Sequence, residues 1–507
     1  MTSPYRRFTP HAGRLSTLAA LVSISLASSS ASAQVEDPII LGEVTVRVAG
    51  AKELAQAVGL LGSQFAGVAV VDEIPGRNTF LLSYALAANQ TPFDVETALL
   101  ALQTSGVIVL GELNYGGQAA EGRTGSLWVS QVTIGPPEFA TQYAVDLLGL
   151  PAAHARSTGR GTTIAILDTG IDASHPVLAG AVSPLSYSLV GDAPATIETA
   201  DQIDSDGDGD QAEMFGHGTF VAGLVHLVAP DAKLVSVRVL DDDGHGDLFR
   251  IAKAMYWCID NGIDVVNMSL GSTYRAFAME EAAAEAAAKG IVIVGAAGNL
   301  DTDDPREYPA CDANVFGVAA LDRLDVKAPF SSFEEKLKLS APGHSETLPG
   351  QPSLNDPAKS IVSIVPGGGF AAWRGTSMAT AFVSGSVALV RAQHPAWPTP
   401  AVPASAFFTS IFDVLGASGV PVDAGNPDYK GQLGVARIDC AAATALAPAA
   451  PALGDLDGDG AIGPSDLSIL LGAWGTCPVG PSLCLADLDG DGAVSSADLA
   501  VLLGVWN

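Results

Sequence analysis

The chain has 507 residues, with 25 Lys+Arg against 55 Asp+Glu and a formal net charge of −30. At roughly 100–200 residues per domain that length fits about three domains, and an apolar fraction of 48% excludes a largely disordered chain. The acidic balance excludes a nucleic-acid-binding protein, which needs a basic face. At the N-terminus Arg6, Arg7 and Arg14 precede an apolar run from Leu15 to Ala27, and small residues follow to Ala31-Ser32-Ala33. A charged region, a short apolar region and an A-x-A site describe a secretory signal peptide, residues 1–33, whose removal leaves Gln34 first and the protein outside the cell. The run is shorter than the roughly 20 residues a bilayer requires, and no other long uncharged apolar run occurs, so no membrane span is expected.

Residues 40–115 then alternate in type. Glu43 to Val48 alternates polar and apolar as a half-buried strand does. Lys52 to Leu61 has helical spacing, Val68–Val71 and Thr79–Tyr84 read as strands around the turn Pro75-Gly76-Arg77-Asn78, Asp94 to Leu102 reads as a helix, and Val107–Leu110 as a last strand. This βαββαβ order predicts a small α+β domain of ferredoxin-like, split-βαβ type. The Gly- and polar-rich stretch from Tyr115 to Ser126 reads as a linker. From about residue 140, continuous apolar strands (Thr162–Leu167, Leu234–Val239, Val265–Ser269, Ile291–Gly295, Val315–Ala319) alternate with helical segments at 248–261, 275–289 and 376–393. That pattern predicts an α/β domain on a parallel sheet buried on both faces. Residues 446–453 form a Pro/Ala linker, and residues 455–475 then repeat as 487–507 with 13 of 21 positions identical. Of the cysteines, Cys258 lies in an apolar helical stretch as a buried thiol, while Cys477 and Cys484 are near enough in sequence to bridge; five is an odd number, so at least one stays unpaired or pairs between chains. No His or Cys cluster has zinc spacing.

Three motifs carry chemistry: Ile166-Leu167-Asp168-Thr169-Gly170, Gly216-His217-Gly218-Thr219, and Gly375-Thr376-Ser377-Met378-Ala379 opening a long apolar helix. Amide hydrolysis needs a nucleophile, a base beside it and a carboxylate that holds the base's tautomer, and Ser377, His217 and Asp168 supply these. With these, Val265 to Gly271, Ala296-Ala297-Gly298-Asn299, Tyr308-Pro309-Ala310, Phe330-Ser331-Ser332 and Ala341-Pro342-Gly343 follow in order. Together the segments over about 142–445 resemble the subtilisin-like serine peptidases. The resemblance implies an Asp168–His217–Ser377 triad, an Asn299 side chain donating to the oxyanion, and polypeptide substrates lying beside Ser269, Leu270 and Gly271 and along the stretch Gly244 to Leu248. Ala296, Ala297 and Gly298 leave room for a P1 side chain; no acidic residue stands in these segments, so an apolar or large P1 is expected. Two departures stand out. Ala381 and Phe382 occupy positions where the family usually has Pro and His, and Phe220 follows the His motif where His is common. The resemblance further implies that residues 34–118 are a propeptide that assists folding and caps the active site, with cleavage before residue 140.

The repeat carries acidic loops. Asp455, Asp457 and Asp459, then Asp487, Asp489 and Asp491, stand at positions 1, 3 and 5 of two EF-hand-like loops, with Gly460 and Gly492 at position 6. Ala461 and Ala493 supply the position-7 carbonyls, and Asp466 and Asp498 stand at position 12 where a full EF-hand has Glu. A doubled loop of this kind resembles a type I dockerin module, which implies two Ca2+ ions, a cohesin-like scaffold partner and, by the same analogy, a setting in polysaccharide breakdown; the Cys477–Cys484 insert departs from that pattern. A third acidic stretch, Asp204 to Asp210, reads equally as a calcium loop and as a solvated acidic loop. The expected organisation is a signal peptide 1–33, a propeptide 34–118, a subtilisin-like peptidase domain 119–445, a linker 446–453 and a small α-helical, paired EF-hand-like module 454–507. The function expected is a secreted serine endopeptidase made as a zymogen; the rival is a non-catalytic adhesion or scaffold-binding protein on a peptidase fold.

Overall fold

A computed structural model describes residues 38–506 apart from 125, 127, 131–133, 192–193, 199, 201–203, 206–210, 346, 349–350, 395–403, 448–452, 457–460, 478–485 and 490. The expected signal peptide, most of the Pro/Ala linker, Asp206, Asp208 and Asp210, Asp457 and Asp459, and Cys484 lie outside the described residues. The chain opens as β1 (Ile39–Arg47), α1 (Ala51–Gly62), β2 (Ala66–Ile74), β3 (Thr79–Ala85), α2 (Pro92–Thr104) and β4 (Leu110–Ala119). The strands run antiparallel in the order β4-β1-β3-β2. Val44, Val46 and Val48 of the first strand and its end pack against Ala57 and Leu61 of α1 and Val95, Ala98, Leu99 and Leu102 of α2. Thr91 and Asp94 start α2 with a capping box, and Pro92 takes the first helical position, where its missing N–H costs nothing.

One sequence expectation is corrected here. The last strand begins at Leu110, where the expected one ended, and it continues through Tyr115–Ala119, which had read as linker. Gly116–Gln118 pair with β8 (His245–Asp247), and Gln118 and Ala119 with β10 (Leu270–Gly271), both antiparallel. The strand exists because distant edges hydrogen-bond it, and glycine allows the approach: a Cβ on Gly117 would come within 3.1 Å of both Ile251 and Leu248.

Three short helices, α3 (Pro136–Ala140), α4 (Tyr143–Leu147) and α5 (Leu150–His154), lead into the central sheet. Its strands are β5 (Thr163–Asp168), β6 (Val182–Ser188), β7 (Lys233–Arg238), β9 (Val265–Met268), β11 (Val292–Ala296), β12 (Val315–Leu321) and β13 (Leu339–Pro342). They are all parallel, in the order β13-β12-β11-β9-β5-β7-β6. Helices α6 (His217–Val228), α7 (Leu248–Asp260), α8 (Phe277–Ala288) and α9 (Thr376–Ala392) alternate with or follow these strands. Burial of nearly every residue of β9, β11 and β12 explains why they read as continuous apolar runs. All 17 residues of α9 are buried, and the helix runs unbroken through Ala381 and Phe382. Hairpins β14 (Thr347–Leu348) with β15 (Gln351–Asn355) and β16 (Ile361–Val365) with β17 (Gly369–Trp373) precede it, and α10 (Ala404–Ser418) and α11 (Cys440–Leu446) complete the domain. Cys258, Cys311 and Cys440 are free and buried, and Cys477 is disulfide-bonded.

The tail holds α12 (Pro464–Gly472), β18 (Gly475–Thr476), β19 (Ala493–Val494) and α13 (Ser496–Val505), around Ile462, Leu470, Ala486, Leu488, Val494 and Leu502. Arg160 of the α/β domain reaches it through the Leu488 carbonyl, at 3.2 Å. Among the described residues, no helix is long and apolar enough to cross a membrane.

Candidate active site

Parallel strands end together at one edge of a sheet, and helices that follow them begin there. Asp168 is the last residue of β5, His217 the first of α6 and Ser377 the second of α9, so three remote stretches meet at that edge. Glycine permits the meeting. Gly216 caps α6 with φ near +88°, and a Cβ at Gly218 would collide with the Gly170 carbonyl beside Asp168. His217 Nδ1 lies 2.7 Å from Asp168 Oδ1, which also accepts the Thr169 N–H at 2.8 Å. The Trp373 ring meets the imidazole edge-on at 5.2 Å and also packs on Phe220, so Phe220 serves packing. Asp168, His217 and Ser377 are wholly buried.

Between Ser377 and His217 lies a residue that no spacing in the sequence singles out. Glu121, just past the end of β4, is fully buried with its carboxylate in the centre of the site. Its Oε2 accepts the Ser377 hydroxyl at 2.5 Å and lies 2.9 Å from His217 Nε2. Its Oε1 accepts the Asn299 amide at 3.1 Å and the Ser377 N–H at 3.4 Å. Asn299 is oriented by its own oxygen, which accepts the Thr376 N–H at 2.9 Å and the Thr376 hydroxyl at 3.0 Å. One oxygen of Glu121 thus sits where two donors converge and the other against nucleophile and base, the positions a product carboxylate takes in acyl transfer. Burial alone would pull the His217 imidazolium down; the Asp168 charge and hydrogen bond, then those of Glu121, outweigh it and carry the pKa up to about 10.

A second buried carboxylate braces the triad. Glu198 accepts the Thr169 hydroxyl at 2.5 Å, the Gly216 N–H at 3.0 Å and the Thr219 hydroxyl, so it ties together the segments carrying Asp168 and His217. Burial pushes its pKa up to about 7 against those two hydroxyls, and the Asp168 charge adds to the rise. Nothing in the local sequence marks it, because its partners come from two other segments.

The residues expected along the substrate lie beside the triad. Ser269 accepts the Ser377 hydroxyl on its carbonyl at 3.1 Å, and its own hydroxyl is held by Asn267 at 3.0 Å. Leu270 stands opposite Ala119 and Gly271 opposite Gln118, while the Ala119 N–H donates to the Gly244 carbonyl at 2.9 Å. The N-terminal strand therefore runs in the place expected for an extended peptide. Ala296 ends β11, Ala297 is buried with Ala310 and Leu337, and the Gly298 N–H is held by the Thr376 hydroxyl at 3.2 Å. Glu307, from just before Tyr308-Pro309-Ala310 and outside the segments in which no acidic residue stands, is buried against both Gly271 and Gly298.

Further along β4, the strand caps two helices of the α/β domain. Glu112 accepts the Phe277 N–H at the start of α8 at 3.1 Å, and Asn114 accepts the Phe249 N–H at the start of α7 at 3.2 Å. These are donors that a helix terminus leaves unpaired. Around them, Arg77 pairs with Asp260 at 2.7 Å and Glu285 at 2.9 Å, Lys253 pairs with Asp72 at 2.5 Å, and Tyr115 stacks on Tyr274 at 3.8 Å.

In the tail, Asp487, Asp489 and Asp491 offer carboxylate oxygens within 4.8 Å of one another, a spacing one Ca2+ spans with ligands at about 2.3–2.6 Å. Asp498 is buried, and its carboxylate accepts the Leu488, Asp489 and Ser495 N–H groups at 2.6, 3.1 and 2.7 Å. Asp466 holds the Leu456 and Gly463 N–H groups at 2.6 and 2.7 Å in the same way. Asp243 accepts the Ser205 and Ala212 N–H groups, each at 2.5 Å, one from the start of the third acidic stretch and one from just beyond it.

Comparisons with known proteins agree on one family. The subtilase family (peptidase S8) profile matches residues 159–412. Subtilisin BL from Lederbergia lenta is 35% identical over 268 residues, which is 50% of this chain and 86% of that protein. Subtilisin E from Bacillus subtilis (strain 168) is 33% identical over 268 residues, and the match spans 62% of its length. Among solved structures, fervidolysin from Fervidobacterium pennivorans, a keratinolytic enzyme related to subtilisin, shares the fold with a TM-score of 0.59 and 22% identity, over 80% of this chain and 61% of that one.

Proposed function

The chain belongs to the subtilase family, and on that premise we propose that it is an exported serine endopeptidase held inactive by its own N-terminal unit. Family membership carries the serine endopeptidase activity itself. The observation that supports the assignment to particular residues is the shared carboxylate oxygen: Ser377 Oγ and His217 Nε2 both bond Glu121 Oε2, while His217 Nδ1 holds Asp168. With a peptide in place of Glu121, Ser377 Oγ attacks the scissile carbonyl and passes its proton to His217. Asp168 stabilises the imidazolium without taking the proton, and the carbonyl oxygen, now an oxyanion, is received by the Asn299 amide and the Ser377 N–H. His217 returns the proton to the leaving amine, and a water then attacks the acyl-enzyme with His217 again as base. Substrate backbone adds as a strand between Ser269-Leu270-Gly271 and the stretch Gly244 to Leu248, as β4 now does.

On the same reading residues 34–118 form a propeptide. Support comes from the course of β4 through the peptide cleft, its capping of α7 and α8, and the Glu121 carboxylate on the catalytic atoms. The C-terminal module is proposed to bind calcium, with Asp487, Asp489, Asp491, the Ala493 carbonyl and Asp498 in the second loop and Asp455, Asp457, Asp459, the Ala461 carbonyl and Asp466 in the first. Grouping of the second loop's three aspartates supports this. When bound, the ion supplies positive charge that folds the loops around it. Docking of that module to a cohesin-like scaffold is part of the proposal and rests on the loop pattern alone.

Covalent labelling with a fluorophosphonate tests the central claim. The full chain is expected to take one label at Ser377, and His217→Ala to take none at matched concentration and time. A chain that stays unlabelled at every pH would favour the non-catalytic binding protein instead.

A further inference from the structure

We infer that this peptidase selects a basic P1 residue, arginine or lysine, and that Glu307 is the specificity residue that selects it. The inference rests on the endopeptidase reading above and names its substrate class. Glu307 lies against the two glycines that border the P1 space: a Cβ on Gly271 would stand 2.5 Å from its Oε1, and a Cβ on Gly298 would stand 3.2 Å from its Oε2. Both positions belong to the segments that flank Ser377, one in β10 and one immediately before Asn299. A carboxylate buried in such a place demands a positive partner, since an unpaired buried charge is costly.

The partner present is a side chain of the N-terminal region. Arg123 Nη2 lies 3.2 Å from Glu307 Oε1 and 3.3 Å from the Gly271 carbonyl. The side chains of Arg123 and Glu307 are only 3% and 4% exposed, so this is a buried pair at the cleft and not a surface contact. Arg123 is two residues beyond Glu121 and lies in the short helical turn Gly122–Thr124, which Glu121 immediately precedes. One turn of chain thus fills both halves of the site: the Glu121 carboxylate covers nucleophile, base and oxyanion donors, and the Arg123 guanidinium fills the space next to them. In a bound substrate the P1 residue supplies the carbonyl and the side chain together. A guanidinium that reaches Glu307 from a true P1 position would make the same charge-assisted bond, and lysine would place its ammonium there as a point charge. An acidic residue at the floor of this pocket is how a serine peptidase sets a basic P1, whereas an apolar P1 would forgo the charge-assisted bond that Arg123 now makes to Glu307.

The test compares hydrolysis of tetrapeptide amides that differ only in P1 (Arg, Lys, Phe, Leu, Glu) by the purified protein after its N-terminal unit has been cut and released, with fluorophosphonate labelling of the same preparation in parallel. The expected result is a kcat/KM for Arg at least about tenfold above Phe and Leu, a small fraction of what a buried charge pair supplies. Glu307→Gln is expected to narrow that ratio by at least about tenfold, chiefly through loss on the Arg substrate. The wild-type profile carries the test by itself should the variant fail to fold. A preparation labelled at Ser377 that cleaves Phe or Leu as fast as Arg, or cleaves none of the five, overturns the proposal and leaves the endopeptidase reading standing. A preparation that is neither labelled nor active overturns both.

Discussion

At the residue scale, on the proposed reading, charge on His217 is the variable that separates a blocked site from a working one. His217 acts as a base only when neutral, and in the closed chain two carboxylates, Asp168 and Glu121, hold its proton. Its pKa there is raised from 6.5 to about 10, so the associated stability is complete below pH 6.5 and is lost as the pH climbs through 10. Replacing Glu121 by Gln removes one of the two charges. The rate of fluorophosphonate labelling of Ser377 in the intact chain is therefore expected to rise with pH up to a midpoint near 10, and in Glu121→Gln the midpoint should move to lower pH with faster labelling at pH 7. Equal midpoints in the two proteins would show that Glu121 does not hold the proton. The residues behind this behaviour divide by what sequence can carry. Asp168, His217, Ser377 and Asn299 each sit in a short local motif, and all four were legible. Glu121, Glu198 and Glu307 act through partners remote in the chain, and no spacing announces them. Glu307 came nearest, standing one residue before the Tyr308-Pro309-Ala310 motif.

At the element scale, the parallel strands and α9 were readable because burial on both faces leaves unbroken apolar runs. The strand β4 was not, because Tyr115 to Ala119 has the composition of a loop and owes its extended form to β8 and β10, more than a hundred residues away. The tail shows the opposite case, a pattern visible in sequence whose geometry then adds a distinction. In the second loop Asp487, Asp489 and Asp491 gather their oxygens, while Asp498 is engaged by three backbone N–H groups and caps α13. The first three aspartates repel one another unless a cation lies between them, whereas Asp498 stabilises the loop and helix by itself. Removing calcium should therefore loosen the acidic turn and the hairpin β18–β19 before it melts α13. Hydrogen exchange on the full chain, with calcium and with excess chelator, is expected to show faster exchange at Asp491–Val494 and little change in the sheet strands β5, β9 and β11. Unchanged protection of the turn under chelation would argue that the aspartates hold no ion.

At the scale of the whole molecule, the N-terminal unit grips the peptidase domain by β4, by the helix caps at Glu112 and Asn114, and by the ion pairs of Arg77 and Lys253. Maturation on this reading requires one cut in the segment that leaves the cleft, and two rules place it differently. Strand register, extended one residue past Ala119 opposite Leu270, would bring Ala120 level with Ser269 and cut before Glu121. Selection by Glu307 cuts after a basic residue, and between 119 and 139 the sole Lys or Arg is Arg123. The second cut needs the turn at Gly122–Thr124 to open so that Glu121 leaves Ser377 and the Arg123 carbonyl takes its place, with the guanidinium still on Glu307. Because the side chain is already seated, only the backbone has to move. N-terminal sequencing of the processed protein is expected to begin at Thr124, and Ser377→Ala is expected to keep the N-terminal unit attached. A first residue of Glu121 would mean that strand pairing alone sets the cut, and processing of the Ser377→Ala chain at the same rate would assign the cut to another peptidase.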